Sequence, residues 1–119
     1  MTTATTSRLT PRAAFAALGF TLTEQPREER TDAFGRLVVT RWCRIAPAAC
    51  SRIGATGEGP DDATAEERLD SDLRATLRGL LAYAEADALA AVASPRRGHA
   101  GAAAAASWRN RVRAIVGAL

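Results

Sequence analysis

The stretch "RLVVTRWCRI", residues 36–45, decides how this chain folds, because it fits two periods almost equally well. As a helix it places Phe34, Leu37, Val38, Arg41, Trp42 and Ile45 on one face, five of the six apolar; as a strand it alternates Leu37, Val39, Arg41, Cys43 and Ile45, four of the five apolar. The β-branched Val38, Val39 and Thr40 favour a strand, with Asp32-Ala-Phe-Gly35 as the turn of a hairpin to residues 20–24. The flanks favour a helix: Thr31 or Asp32 can cap it, Pro47 ends it, and the alanine-rich surroundings offer few other strands to complete a sheet. We take the flanks as the stronger signal and expect a helix.

Both periods put Arg41 on the apolar face. One explanation lays its methylene stem along the core while the guanidinium reaches the edge or a carboxylate. The other holds the guanidinium rigid among apolar neighbours so that it faces a phosphate.

Working outward, "TPRAAFAALGF" carries helix punctuation: Thr10 as N-cap, Pro11 at the first helical position, Phe15 and Leu18 on one face, and Gly19 as the stop. "FTLT" alternates like a short strand, and "EQPREERTD" reads as a loop. Residues 46–62 collect Gly and Pro into a linker with a short helical turn at 48–53. Thr64 and Glu67 form a capping box that opens a long helix over 64–93, in which Leu69, Leu73, Leu77, Leu80, Ala84, Ala88 and Val92 recur every three or four residues until Ser94-Pro95. A last helix over 101–118 gathers Trp108, Val112, Ile115, Val116 and Leu119 on one side.

These segments predict an all-α fold of four to five helices, with an antiparallel C-terminal helical hairpin and the N-terminal part packed across it. The alternative is an α+β fold with a small hairpin at about residues 20–45. Residues 1–8 read as a disordered tail and 9–119 as a single domain.

Composition narrows the functional classes. The 28 alanines against three Phe, two Trp and one Tyr point to a core of thin side chains and close contacts. Sixteen arginines and no lysine give a net charge of +3, which favours anionic partners. No apolar run is long enough to cross a membrane and the N-terminus lacks a secretion signal, so a cytoplasmic protein without membrane contact is expected. Cys43 and Cys50 are too few for a disulfide framework or a zinc site, and both read as small buried hydrophobes. The lone His99 sits in a Gly-rich turn, and no phosphate loop, nucleophile signature or metal motif occurs. A non-enzymatic role with no cofactor and no metal is therefore expected.

Charge is unevenly distributed: +4 over residues 1–57 (eight Arg, four acids), −6 over 58–90 (three Arg, nine acids) and +5 over 91–119 (five Arg). Folding the basic last helix onto the acidic long one would set Arg109 and Arg111 near Glu85 and Asp87. The functional reading gathers Arg36, Arg41, Arg44, Arg96, Arg97, Arg109 and Arg113 as contacts to nucleic-acid phosphates. The expected function is a small basic subunit that contacts RNA or DNA backbone within a larger ribonucleoprotein or DNA-bound assembly, alongside protein subunits. The alternatives are a protein-interaction or structural assembly module of a phage or mobile element, and an inhibitor protein whose acidic 58–72 stretch mimics phosphate.

Overall fold

The computed structural model describes residues 8–119, so all but Arg8 of the expected tail over residues 1–8 lies outside them. The elements are α1 (Pro11–Ala17), β1 (Thr21–Glu24), β2 (Glu28–Thr31), β3 (Leu37–Ala49), β4 (Arg52–Gly59), α2 (Asp62–Ala93) and α3 (Gly98–Gly117). The all-α expectation is overturned: three helices stand beside a four-stranded antiparallel sheet, and residues 36–45 belong to its central strand. The strands that seemed to be missing come from "EERT", read as loop, and "RIGATGEG", read as linker. Neither has strong β-propensity, so their pairing is decided by tertiary context and not by local preference.

β3 organises the sheet. β1 pairs with its second half, from Thr21↔Ala46 to Glu24↔Cys43, and β2 with its first half, from Glu28↔Thr40 to Thr31↔Leu37. The two short strands therefore lie end to end along one edge, interrupted at Pro26, which has no N–H to give the ladder. β4 pairs with the other side, from Val39↔Gly59 to Arg44↔Gly54, and an irregularity between Arg44 and Ala49 accommodates Pro47. A strand thus absorbs the proline that seemed to end a helix.

Alternation along β3 sends Val39, Cys43 and Ile45 inward, where they are buried against the helices. α2 crosses β4 and β3 on this side and contributes Leu69, Leu73 and Leu77, all fully buried, while α1 adds Phe15 and α3 adds Val112. Burying such side chains contributes roughly 1.5–3 kcal/mol each. α2 begins with Asp61, whose carboxylate accepts from the Thr64 N–H at 2.7 Å; that bond holds the Asp61 carboxyl below its ordinary range.

The helix can lie this close because the inward positions of β4 are Ala55, Gly57 and Gly59. A Cβ at Gly57 would enter the backbone of α2, colliding with the Ala65 carbonyl oxygen and the Leu69 nitrogen and lying 2.9 Å from the Arg68 carbonyl carbon. α2 also closes the free edge of β4: Asp72 accepts from the Thr56 N–H at 2.9 Å and Arg68 donates to the Glu58 carbonyl at 2.7 Å. Arg52 holds the same Asp72 carboxylate with both guanidinium nitrogens, at 3.0 and 3.2 Å.

β3 and β4 are joined by the two-residue turn Cys50-Ser51, with Ala49 opposite Arg52 and φ of 49° and 69° at the two turn residues. Both occupy the left-handed region that a two-residue hairpin demands and that Asn-Gly fills at least cost. The double substitution Cys50→Asn with Ser51→Gly is expected to stabilise the protein by about 1 kcal/mol, visible as a higher urea midpoint with unchanged slope.

α2 and α3 form the antiparallel hairpin that the leucine and alanine spacing predicts. Its outer end is held by Ala88, Ala91 and Ala105. The expected ion pairs differ in partner: Glu85 meets Arg113 at 3.8 Å, and Asp87 binds Arg97 at 2.8 Å. Counting back from the turn gives the level along the axis but not the face, and Arg109 turns to Asn110 while Arg111 donates to the Ala17 carbonyl and lies 5.5 Å from the Trp108 ring.

Candidate functional site

All helices lie on one side of the sheet, so the opposite face is uncovered. Along β3 this face presents Val38, Thr40, Trp42 and Arg44, the residues that alternate with the buried set. Thr23 of β1 lies beside Arg44, Thr56 of β4 lies beside Trp42, and the Thr56 hydroxyl donates to the Arg41 carbonyl at 3.3 Å. The Trp42 ring lies against the next outward position of β4, Gly54, where a Cβ would stand 3.2 Å from it. An indole seated on a glycine is held at a fixed height with part of its surface open to solvent.

Arg44 is exposed two residues along the strand from Trp42 and has no carboxylate partner among the described residues. At the other end of the face, Arg30 and Glu58 neutralise each other at 2.7 Å. Beyond them is the β2–β3 turn, where the Asp32 carboxylate accepts from the N–H groups of Phe34 and Arg36 at 2.8 and 2.9 Å. This turn projects Phe34, 80% exposed, with the Arg36 guanidinium 5.2 Å from its ring centre. From Arg36 to Arg44 the strand runs about 26 Å at roughly 3.3 Å per residue. The face therefore carries an aromatic and an unpaired arginine at Trp42 and Arg44 and again at the Phe34–Arg36 turn, with Val38, Thr40, Glu28 and the Arg30–Glu58 pair between them.

The structure separates the seven arginines named from sequence. Arg36 and Arg44 lie on or beside the open face. Arg41 points the other way, beneath α2, with its guanidinium 3.6 Å from Glu24, 3.8 Å from Asp62 and 3.7 Å from Glu66. Arg12 reaches Glu24 and Glu66 at 2.7 Å each, and Arg27 reaches Asp62 and Glu29. The result is a half-buried cage of alternating charge that ties α1, β1 and β3 to the start of α2. Within it the Arg41 Nε and one Glu66 oxygen are buried without a hydrogen-bond partner. Arg96 and Arg97 occupy the turn between α2 and α3, and Arg109 and Arg113 lie on α3, all in the helical layer and away from the open face.

Trp42 and Phe34 did not stand out in the sequence. Both counted only as apolar members of a competing helical period, although the strand period alone puts Trp42 and Arg44 together opposite Val39, Cys43 and Ile45. Cys43 is buried as expected but Cys50 is exposed, its sulfur 3.7 Å from the Gly79 carbonyl, and desolvation pushes both thiols above their ordinary range. Among the described residues no three His, Cys, Asp or Glu side chains converge as metal ligands, and no helix is long and apolar enough to cross a membrane.

Comparison with protein-family models, with curated proteins and with solved structures finds no match to this chain. The functional reading therefore rests on the geometry of the sheet face.

Proposed function

We propose that this protein is a small, basic, non-enzymatic component of a nucleoprotein assembly that binds single-stranded nucleic acid across the open face of its sheet. The observation that carries this reading is Trp42, part exposed over Gly54 and two residues from the unpaired Arg44. An exposed indole offers a stacking surface to any base whose face is free, and an adjacent guanidinium meets the phosphate that follows it. Bases in a duplex hide their faces against each other, which favours unpaired strands. Phe34 and Arg36 repeat the same combination at the turn, so a strand lying along β3 would meet an aromatic and a cation at each end. The hydroxyls of Thr40 on the strand and of Thr23 and Thr56 beside Arg44 and Trp42 suit contacts to sugar and phosphate without reading sequence.

The test is fluorescence anisotropy of labelled single-stranded RNA, single-stranded DNA and duplex DNA, titrated with protein across a range of salt. Single strands are expected to bind more tightly than duplex, and Trp42→Ala to weaken that binding by about 1–3 kcal/mol, roughly 5- to 150-fold. Arg44→Ala should reduce the salt slope by about one, whereas Arg97→Ala and Arg113→Ala should leave it unchanged. Flat traces at low salt, or binding indifferent to Trp42, would overturn the proposal.

A further inference from the structure

The 32-residue helix α2 is covered on one side only. From Ala75 onward its outward side carries Ala75, Gly79, Ala82, Ala86, Leu89 and Ala93, spaced alternately four and three residues apart, which is the spacing of a helix–helix seam. The face is more than a row of small residues: Leu89 is 73% exposed, Val92 beside it 78%, and Tyr83 on the opposite flank 63%. A continuous apolar stripe on a helix belongs against a neighbour, yet in the single chain this side meets only solvent. Its two charges are Arg78 and Glu85, both exposed. Arg78 has no carboxylate partner among the described residues, and Glu85 has only the loose contact to Arg113 at 3.8 Å.

We propose that this face binds a second copy of the chain, with the two α2 helices antiparallel across a two-fold axis. Charge selects this occupant. Arg78 and Glu85 lie two helical turns apart, about 10.5 Å along one flank. When the axis passes midway between them, Arg78 of each copy stands opposite Glu85 of the other, and the contact is made twice. A parallel pairing would turn this flank towards the Tyr83 side of the second copy, and the charge contact would be lost. In the antiparallel register Ala75 and Gly79 meet Ala86 and Ala82 of the second copy, and side chains that small let helix axes approach to about 8 Å. Leu89 then reaches the Ser71–Ala75 end of the facing helix. The open sheet faces lie on the far side of each copy and stay accessible.

Sedimentation equilibrium of the full-length protein, without nucleic acid, tests the proposal. The chain mass is 12.5 kDa, and the expected result is a species of twice that mass that dissociates on dilution. Ala82→Arg and Leu89→Arg alter positions that are exposed in the single chain, so each should yield a folded monomer with unchanged circular dichroism. Arg78→Glu alone should weaken the dimer about tenfold or more by opposing like charges, and Arg78→Glu with Glu85→Arg should restore it. A monomer at every concentration up to about 200 µM would overturn the proposal, since only millimolar affinity would then be left. A dimer indifferent to Ala82→Arg, or one that the double charge swap fails to rescue, would overturn it equally.

Discussion

Gly57→Ala is expected to unfold this protein or cost it about 3 kcal/mol or more, the largest effect of any single methyl group in the chain. The added carbon would occupy space held by the α2 backbone at Ala65 and Leu69. Backbone cannot turn aside as a flexible side chain can, so α2 would have to lift from β4. Lifting it separates Leu69 and Leu73 from Ile45 and Cys43 and pulls Asp72 away from Thr56. Thermal unfolding followed by circular dichroism checks this, and Gly79→Ala supplies the opposite sign. In the single chain Gly79 lies inside the same helix with nothing near its missing Cβ, so at concentrations where the chain is monomeric alanine there should stabilise by roughly 0.5–1 kcal/mol through helix propensity. A destabilising Gly79→Ala, or a harmless Gly57→Ala, would show that the helix does not sit where the glycines imply.

The second large effect belongs to Arg41. Replacing it with Met is expected to cost about 2 kcal/mol, below the 3–5 kcal/mol of a fully buried charge because its side chain is 28% exposed. The loss comes from what stays behind: Glu24 and Glu66 would face each other under α2 with only Arg12 between them. Removing one of those carboxylates as well should return most of the stability, so Arg41→Met with Glu66→Met is expected to be milder than Arg41→Met alone. Urea unfolding midpoints of the two single variants and the double variant measure the coupling. Strictly additive losses would mean that the cage is a set of independent surface pairs, worth a few tenths of a kcal/mol each.

How much of this was legible in the sequence differs by element. The Thr10 cap marked α1 and leucine and alanine spacing marked the α2–α3 hairpin, because helix formation is written in neighbours three and four apart, whereas α2 is capped by Asp61 and not by the Thr64–Glu67 box. The sheet was hidden for a physical reason. β2 is four exposed residues, Glu28 to Thr31, that owe their strand to pairing with β3, and β4 is a glycine-rich segment that owes its strand to the helix lying on it. Neither condition exists locally, so residues 36–45 seemed to have no partners and their alternation was outweighed by the flanking Pro47. Arg41 was singled out correctly as an anomaly on an apolar face, but its carboxylate partners come from β1 and α2 and could be found only once those elements were placed. For the site, Arg44 was named for its charge, while Trp42 could be paired with it only after the strand period was fixed.

The closed rim of β4 has a consequence for how any partner can engage this sheet. Partners that recognise a sheet by extending it need a run of free N–H and C=O groups along an outer strand. On one side Asp72 already takes the Thr56 N–H and Arg68 the Glu58 carbonyl. On the other, β1 and β2 are four residues each and broken at Pro26, too short and discontinuous to template a neighbour. Main-chain zippering is thereby hindered along both borders, and the side chains of the open face, Trp42 and Arg44 among them, are the part of the sheet left open to a partner.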